Sequence, residues 1–358
     1  MGAFGAAGAW PGVLRRLVDG EDLDAATCRS ALERILAGEA TEAQVAAFVV
    51  ALRSKGEASA EVVGLVDAML DAAAPLPLDD PAGTVDVVGT GGSAALGGRA
   101  FNVSTMASVV AAAAGATVCK HGNRAASSTS GSTDLLEALG VEVDLDGAGV
   151  VACVREAGVG FAFARMFHPA MRHVAPVRAQ LGIPTVFNVL GPLSHPGHVR
   201  RQVLGVADLR LVELVADVLA ARGAIHSWVV RGEDGLDELT TTTATTVLRI
   251  RDGEVVDRSS VTPESVGLRR ATLDQLAVGD PAANARAAGE VLAGEPGPIR
   301  DTVLLNAGAA LVVADVVETL ADGVERAAAA VDDGRAARTL GALVAASRAV
   351  RPPDDGER

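Results

Sequence analysis

Over the first 75 residues the apolar side chains recur at helical spacing, with polar positions between them that leave each helix one-sided. Leu14, Leu17 and Val18 share one face. Leu32, Ile35 and Leu36 share another, in a stretch that Gly38 is placed to stop. Thr41-Glu-Ala-Gln44 is a capping-box pattern ahead of Val45, Phe48, Val49 and Leu52. Ser59 is positioned to cap a further helix with Val62, Leu65, Val66, Met69 and Leu70 inward. Pro75, Pro77 and Pro81 end the helical pattern and put a hinge at 75–83.

From residue 84 the period changes. Short β-branched runs at 84–88, 117–119, 141–145, 161–164, 203–206 and 226–230 alternate with helical stretches at 104–114, 132–139, 169–181 and 208–222. That alternation predicts an α/β unit with a mainly parallel central sheet. Asp252-Gly253, between 247–251 and 254–257, marks a hairpin. Helices resume at 281–293, 301–314, 316–331 and 335–349. The expected division is a small all-helical domain, 1–75, and a larger α/β domain, 76–358. The helical segment 167–190 is a candidate addition to the smaller one.

Composition narrows the function. The chain has 358 residues, 31 Lys and Arg against 45 Asp and Glu, and a net charge of −14. That balance argues against a general nucleic-acid binder, which needs a cationic footprint. Seven Phe, two Trp and no Tyr leave little for base stacking. Cys28, Cys119 and Cys153 are odd in number and far apart, which fits a reducing cytoplasm better than a disulfide framework. The N-terminus lacks a basic leader pattern. The apolar run at 106–119 is too short to span a bilayer, so no membrane partner is expected.

Three segments carry chemistry. Gly89-Thr90-Gly91-Gly92 follows a predicted strand and precedes a predicted helix. Glycines there let backbone N–H groups approach an anion, with a helix N-terminus beside them. An ordinary Gly-rich turn reads the same way. Lys120-His121-Gly122-Asn123-Arg124 puts two cations, an imidazole and an amide past a strand end, where α/β sheets bind ligands. The run of hydroxyls and N–H groups from Ser127 and Ser128 to Ser132 suits phosphate oxygens. Asp234, Asp237 and Glu238 cluster carboxylates after a strand, a pattern that fits Mg2+ beside substrate phosphates, or a solvated acidic turn. His168, Arg172 and Arg178 share one predicted helix, where ten residues turn His168 and Arg178 about 80° apart. An arginine there can hold a carboxylate. Asn188-Val-Leu-Gly191-Pro192-Leu193 reads as a rigid turn.

Taken in order, Gly89-Thr-Gly-Gly92, Asn102-Val-Ser-Thr105, Lys120-His-Gly-Asn-Arg-Ala125, Phe187-Asn-Val-Leu-Gly-Pro-Leu193 and Asp234-Gly-Leu-Asp-Glu238 resemble the anthranilate phosphoribosyltransferase family, from about residue 11 to 350. The resemblance implies the nucleoside phosphorylase/phosphoribosyltransferase type of fold. It implies transfer of a phosphoribosyl group from 5-phosphoribosyl 1-pyrophosphate (PRPP) to the amine of anthranilate, in tryptophan biosynthesis. It also implies Mg2+ and a homodimer formed through the helical unit, whose Val45, Phe48 and Val49 look too many for one small bundle to bury.

By that pattern Gly89, Thr90, Gly91 and Gly92 cradle the pyrophosphate, and Asn102, Ser104, Thr105 and Lys120 hold PRPP. Gly122, Ser127, Ser128 and Ser132 add donors for it. Ser104, Asp237 and Glu238 serve the metal. Asn123 and Arg178 contact anthranilate, with His121, His168, Gly191 and Pro192 beside its path. No residue is singled out as an acid or base, because a neutral aromatic amine is already nucleophilic. Ser93 stands where the family has an acid, and the loop to Ala100 is a few residues longer and carries Arg99. Arg99 either contacts the diphosphate or points into solvent. Two other readings stay open: a different aromatic acceptor, or a non-catalytic PRPP-binding relative.

Overall fold

A computed structural model describes residues 2–91, 95–125 and 129–350. Helices Ala9–Val18, Ala25–Leu36, Glu42–Lys55 and Ser59–Asp71 form the N-terminal unit. The capping box at Thr41 is made in both directions, Thr41 N–H to Gln44 at 2.9 Å and Gln44 N–H to Thr41 at 3.2 Å. Gly38, at φ +75°, closes the preceding helix by donating to the Ile35 carbonyl. Ser59 is not a cap: Ala58 holds that position, and the Glu61 carboxylate takes its N–H. Val45, Phe48 and Val49 are buried within the chain itself, so they offer no surplus surface for a second copy.

Seven strands follow: β1 Thr84–Gly89, β2 Thr117–Gly122, β3 Val159–Phe163, β4 Arg201–Gly205, β5 His226–Gly232, β6 Thr245–Arg251 and β7 Glu254–Val261. Their order is β3-β2-β1-β4-β5-β6-β7, parallel through β5 and antiparallel beyond it. Asp252 at φ +48° and Gly253 at φ +81° make the tight turn between β6 and β7. The run 141–145 is not a strand. Val141, Val143 and Leu145 alternate because they bury against the helices of the large core, and Glu142 donates its N–H to Ser347 of the last helix. An alternating pattern reports one buried side, not a ladder partner.

Alternation along the strands sends side chains into two cores. Val85, Val87, Val203 and Val230 enter the core built with helices Val103–Ala113, Gly147–Ala157, Pro298–Val313, Leu320–Asp332 and Arg335–Ala349. Val88, Leu204, Val229 and Leu248 enter the other, shared with Val212–Ala221, the N-terminal helices and Val174, Val177, Phe187 and Leu190. The predicted helix at 169–181 is broken. Its first part, Pro169–His173, is a 3-10 turn and its second, Ala175–Leu181, is α-helical. Pro176 lacks the N–H needed to continue the first part. The turn expected at 188–193 is the helix Phe187–Leu193, which tolerates Pro192 because only its last turn loses a bond.

One buried charge ties the helical unit together. Glu61, fully buried, accepts from the Leu23 N–H at 2.9 Å, the Ala58 N–H at 2.8 Å and Lys55 Nζ at 3.0 Å. We predict that Glu61→Ala lowers unfolding free energy by about 3 kcal/mol, because two N–H groups and an ammonium lose their acceptor. Glu61→Gln, which keeps an acceptor, loses less. Denaturant titration of the two variants decides it, and equal losses would show that a retained acceptor without the charge contributes nothing.

Candidate active site

β1 lies at the point where strand order turns back, with β2 on one side and β4 on the other. A crevice outside the carboxyl ends of such strands is where α/β sheets take ligands. Here β1, β2, β4 and β5 end in Gly89, Gly122, Gly205 and Gly232. The missing side chains make room for an acidic turn. A Cβ on Gly205 would stand 1.6 Å from the Asp237 carbonyl oxygen, and one on Gly89 would stand 2.3 Å from the Asp237 carboxylate. Gly91 then donates its N–H to that carboxylate at 2.7 Å. Gly89 therefore serves the metal-ligand candidate as directly as any phosphate.

The resulting cavity has a volume of about 360 Å³. Of the predicted residues it gathers Gly89, Thr90, Gly91, Asn102, Ser104, Lys120, His121, Gly122, Asn123, Ser132, Arg178, Gly191, Pro192, Asp237 and Glu238. Thr105 and His168 are buried and are not on its wall. Pro176 explains the second case, since the broken helix separates His168 from the face that carries Arg178. Gly92, Ser127 and Ser128, together with Ser93, lie outside the described residues. Arg99 is exposed and not part of the wall.

Lys120, on β2, donates Nζ to the Val87 carbonyl at 2.5 Å. Burial pulls its ammonium down to about 8, against the opposing pull of Asp86 and Asp237. Asp86 is itself buried, which raises its carboxyl. It accepts from the His121 N–H at 3.0 Å and from Gln202 at 3.2 Å. It thus fixes the end of β2 that presents Lys120 and His121. Asn102 precedes helix Val103–Ala113, whose first turn holds Ser104. Its amide exchanges hydrogen bonds with Ser130, at 2.8 and 3.1 Å, and its N–H goes to Asn284. Ser130 was hidden in a run of hydroxyl residues; the spacing to Asn102 gives no sequence signal for the pair.

The second cation of the Lys120–Arg124 string is not available. Arg124 pairs with both oxygens of Glu137, at 2.6 and 2.5 Å, and with Asp134 at 3.2 Å. Asn123 is positioned through Ser132, whose Oγ both takes its N–H and donates to its carbonyl, at 3.1 Å each. Asp237 and Glu238 have the reverse problem. Burial raises both carboxyls, and each step toward Glu238 is worsened by Asp237 and Asp234 nearby. Neither forms an ion pair with a Lys or Arg among the described residues. Two crowded carboxylates in a cavity with a partly neutral lysine fit one divalent cation shared with substrate oxygens.

Arg178 projects from helix Ala175–Leu181 into the same cavity, its guanidinium 5.9 Å from the centre of the Phe187 ring. It has no carboxylate partner among the described residues, and burial lowers its pKa. Phe187 and Asn188, both on the wall, belong to the motif at 187–193 whose Gly191 and Pro192 alone drew attention. His121, on the wall, clusters with His168 and His195 behind it, with ring centres 5.3 and 5.6 Å from its own. Burial holds His121 well below the usual imidazole range and His168 near 4, so both are neutral. His121 therefore lines the cavity as an uncharged ring rather than as a cation.

Residues 82–337 match the a/b domain of the glycosyl transferase family, and 11–73 match its helical bundle domain. The chain is 50% identical over 350 residues to the anthranilate phosphoribosyltransferase of Salinispora arenicola, covering 96% of this chain and 98% of that one. It is 49% identical to that of Rhodococcus jostii, over 92% and 91% of the two chains. The crystal structure of the Thermus thermophilus enzyme superposes with a TM-score of 0.87 at 42% identity, over 94% of this chain and 99% of that one. That of the Saccharomyces cerevisiae enzyme in complex with PRPP and Mg gives 0.86 at 30% identity, over 95% and 98%. With the same two domains and this level of identity, the chain belongs to the glycosyl transferase family, among its anthranilate phosphoribosyltransferases.

Proposed function

We propose that the chain transfers the phosphoribosyl group of PRPP to the amine of anthranilate, giving N-(5-phosphoribosyl)anthranilate and pyrophosphate. One observation carries this reading. Among the described residues, a single cavity holds a half-buried arginine with no salt-bridged carboxylate and, beside Lys120, a pair of carboxylates with no salt-bridged Lys or Arg. The first suits the carboxylate of anthranilate, and the second suits a metal–diphosphate. The amine nitrogen forms a bond to C1 of the ribose as the C1–O bond breaks, and the electron pair leaves with pyrophosphate. The nitrogen then releases its proton. Asp237 and Glu238, with Ser104 close by on the wall, would hold Mg2+, which neutralises charge on the departing pyrophosphate. Lys120 and the N–H groups at Gly89–Gly91 stabilise the same charge. Arg178, Asn123 and the Gly191–Pro192 wall orient the acceptor.

The remaining parts of this reading follow from family resemblance and packing. The hinge at 75–83 divides 1–75 from 76–358, and the segment at 167–190 goes with the helical part, whose core takes Val174, Val177 and Phe187. The protein works in the cytoplasm; no helix among the described residues is long and apolar enough to cross a membrane. It forms a homodimer through the helical unit, where Val18 is 77% exposed.

Loss of anthranilate fluorescence on adding PRPP and Mg2+ tests the reaction, and an inert wild type would overturn it. In the same assay Arg178→Ala raises the anthranilate KM by on the order of tenfold or more, the worth of one charge-assisted bond, and leaves the PRPP KM within about twofold. Equal effects on both substrates would remove Arg178 from the acceptor side. Because the Lys120 ammonium favours a polyanion and titrates near 8, PRPP affinity falls as pH rises through that value. Calorimetry from pH 7 to pH 9 at fixed Mg2+ should show this slope in the wild type. Lys120→Met should bind more weakly and with little slope. Sedimentation at micromolar concentration should give twice the chain mass, and a monomer would sink the dimer.

A further inference from the structure

Residues 95–100 belong to the Ser93–Ala100 stretch that by resemblance is a few residues longer than the family pattern, and within it Arg99 is exposed. Leu96 is 5% exposed and packs with Leu236 and Leu276, which are 1% and 3% exposed, in an apolar cluster separate from both large cores. Leu236 is the residue immediately before Asp237. The backbone is tied at three further points. The Gly98 carbonyl accepts from the Thr129 N–H at 2.9 Å and from the Thr129 hydroxyl at 3.0 Å. The Arg99 carbonyl accepts from the Val278 N–H at 2.7 Å, and Ala100 bridges to Ala277. Gly98, Ala100 and Leu236 all form part of the cavity wall.

The acidic turn, seated on Gly89 and Gly205, is also held at two of its side chains. On one side the Gly91 N–H holds the Asp237 carboxylate. On the other, Leu236 shares a buried apolar cluster with Leu96 and Leu276, which fixes the side chain next to Asp237.

We propose that Leu96 is a positioning residue for the metal–diphosphate subsite: through Leu236 it sets the placement of the Asp237 and Glu238 carboxylates. This rests on the PRPP reading above. Loss of a group that orients metal ligands costs on the order of 10- to 100-fold in metal affinity. Leu96→Ala is accordingly expected to raise both the half-saturating Mg2+ concentration and the PRPP KM by about tenfold, with the anthranilate KM within about twofold. Calorimetric titration of PRPP at fixed Mg2+ should show the same weakening without turnover. Leu96→Met, which keeps the contact, should restore both values. Leu276→Ala should act in the same direction, and the double alanine variant should be little worse than either single one, because the two act through one contact.

Leu96→Ala with wild-type Mg2+ and PRPP dependence, or with both substrate KM values raised alike, would overturn the proposal. Where Leu96→Ala melts below the assay temperature, Leu96→Val and Leu276→Ala give the same comparison. An inert wild type fails the assigned reaction, whereas an active wild type matched by Leu96→Ala fails only the role of Leu96.

Discussion

The absence of side chains at Gly89 and Gly205 is the constraint from which the rest of the site follows. These residues face each other across β1 and β4, and the turn bearing Asp237 lies where their Cβ atoms would be. Any side chain at Gly205 would collide with backbone, not with a movable group. The acidic turn would then lift from the sheet, and the Gly91 N–H would lose its acceptor. Lys120 would lose one of the two carboxylates, Asp86 and Asp237, that oppose the effect of its burial. A strand-end glycine is here a packing requirement first and an anion-binding device second.

The cavity sets two electrostatic problems side by side and leaves both unsolved within the described chain. Arg124 shows what a solved one looks like: its guanidinium is taken up by Glu137 and Asp134 and is lost to ligands. Arg178 instead has the Phe187 ring 5.9 Å from its guanidinium, a contact that attracts the cation without neutralising it. Desolvated charge without a partner is expensive in a folded protein, so its presence on a cavity wall points to a partner that arrives from outside.

Much of this was legible in the residues. The change from helical to alternating spacing near residue 84 separated the helical unit from the sheet. The capping box at Thr41 and the turn at Asp252-Gly253 are local chemistry and formed as read. What failed was mostly non-local. Val141, Val143 and Leu145 alternate like a strand because a helix covers one side of them. One miss has a local cause instead: Pro176 breaks the helix between His168 and Arg178. Arg124 looked like a free cation because its two acids lie ten and thirteen residues further on. The pairing of Asn102 with Ser130 and the contact of Leu96 with Leu236 depend on a topology that no local pattern encodes.

The division into two cores has a consequence for how such an enzyme can diversify. Val103 and Cys119, neighbours of the donor-side residues Ser104 and Lys120, sit in one core, whereas Val177, Phe187 and Leu190, neighbours of Arg178 and Gly191, sit in the other. The sheet stands between them, with Val88 and Leu204, next to Gly89 and Gly205, as its own links to the second core. Mutations that reshape the pocket for the incoming ring are therefore absorbed beneath the acceptor helices, and the apparatus that activates the sugar keeps its alignment. A lineage can explore new nucleophiles while inheriting its leaving-group chemistry intact.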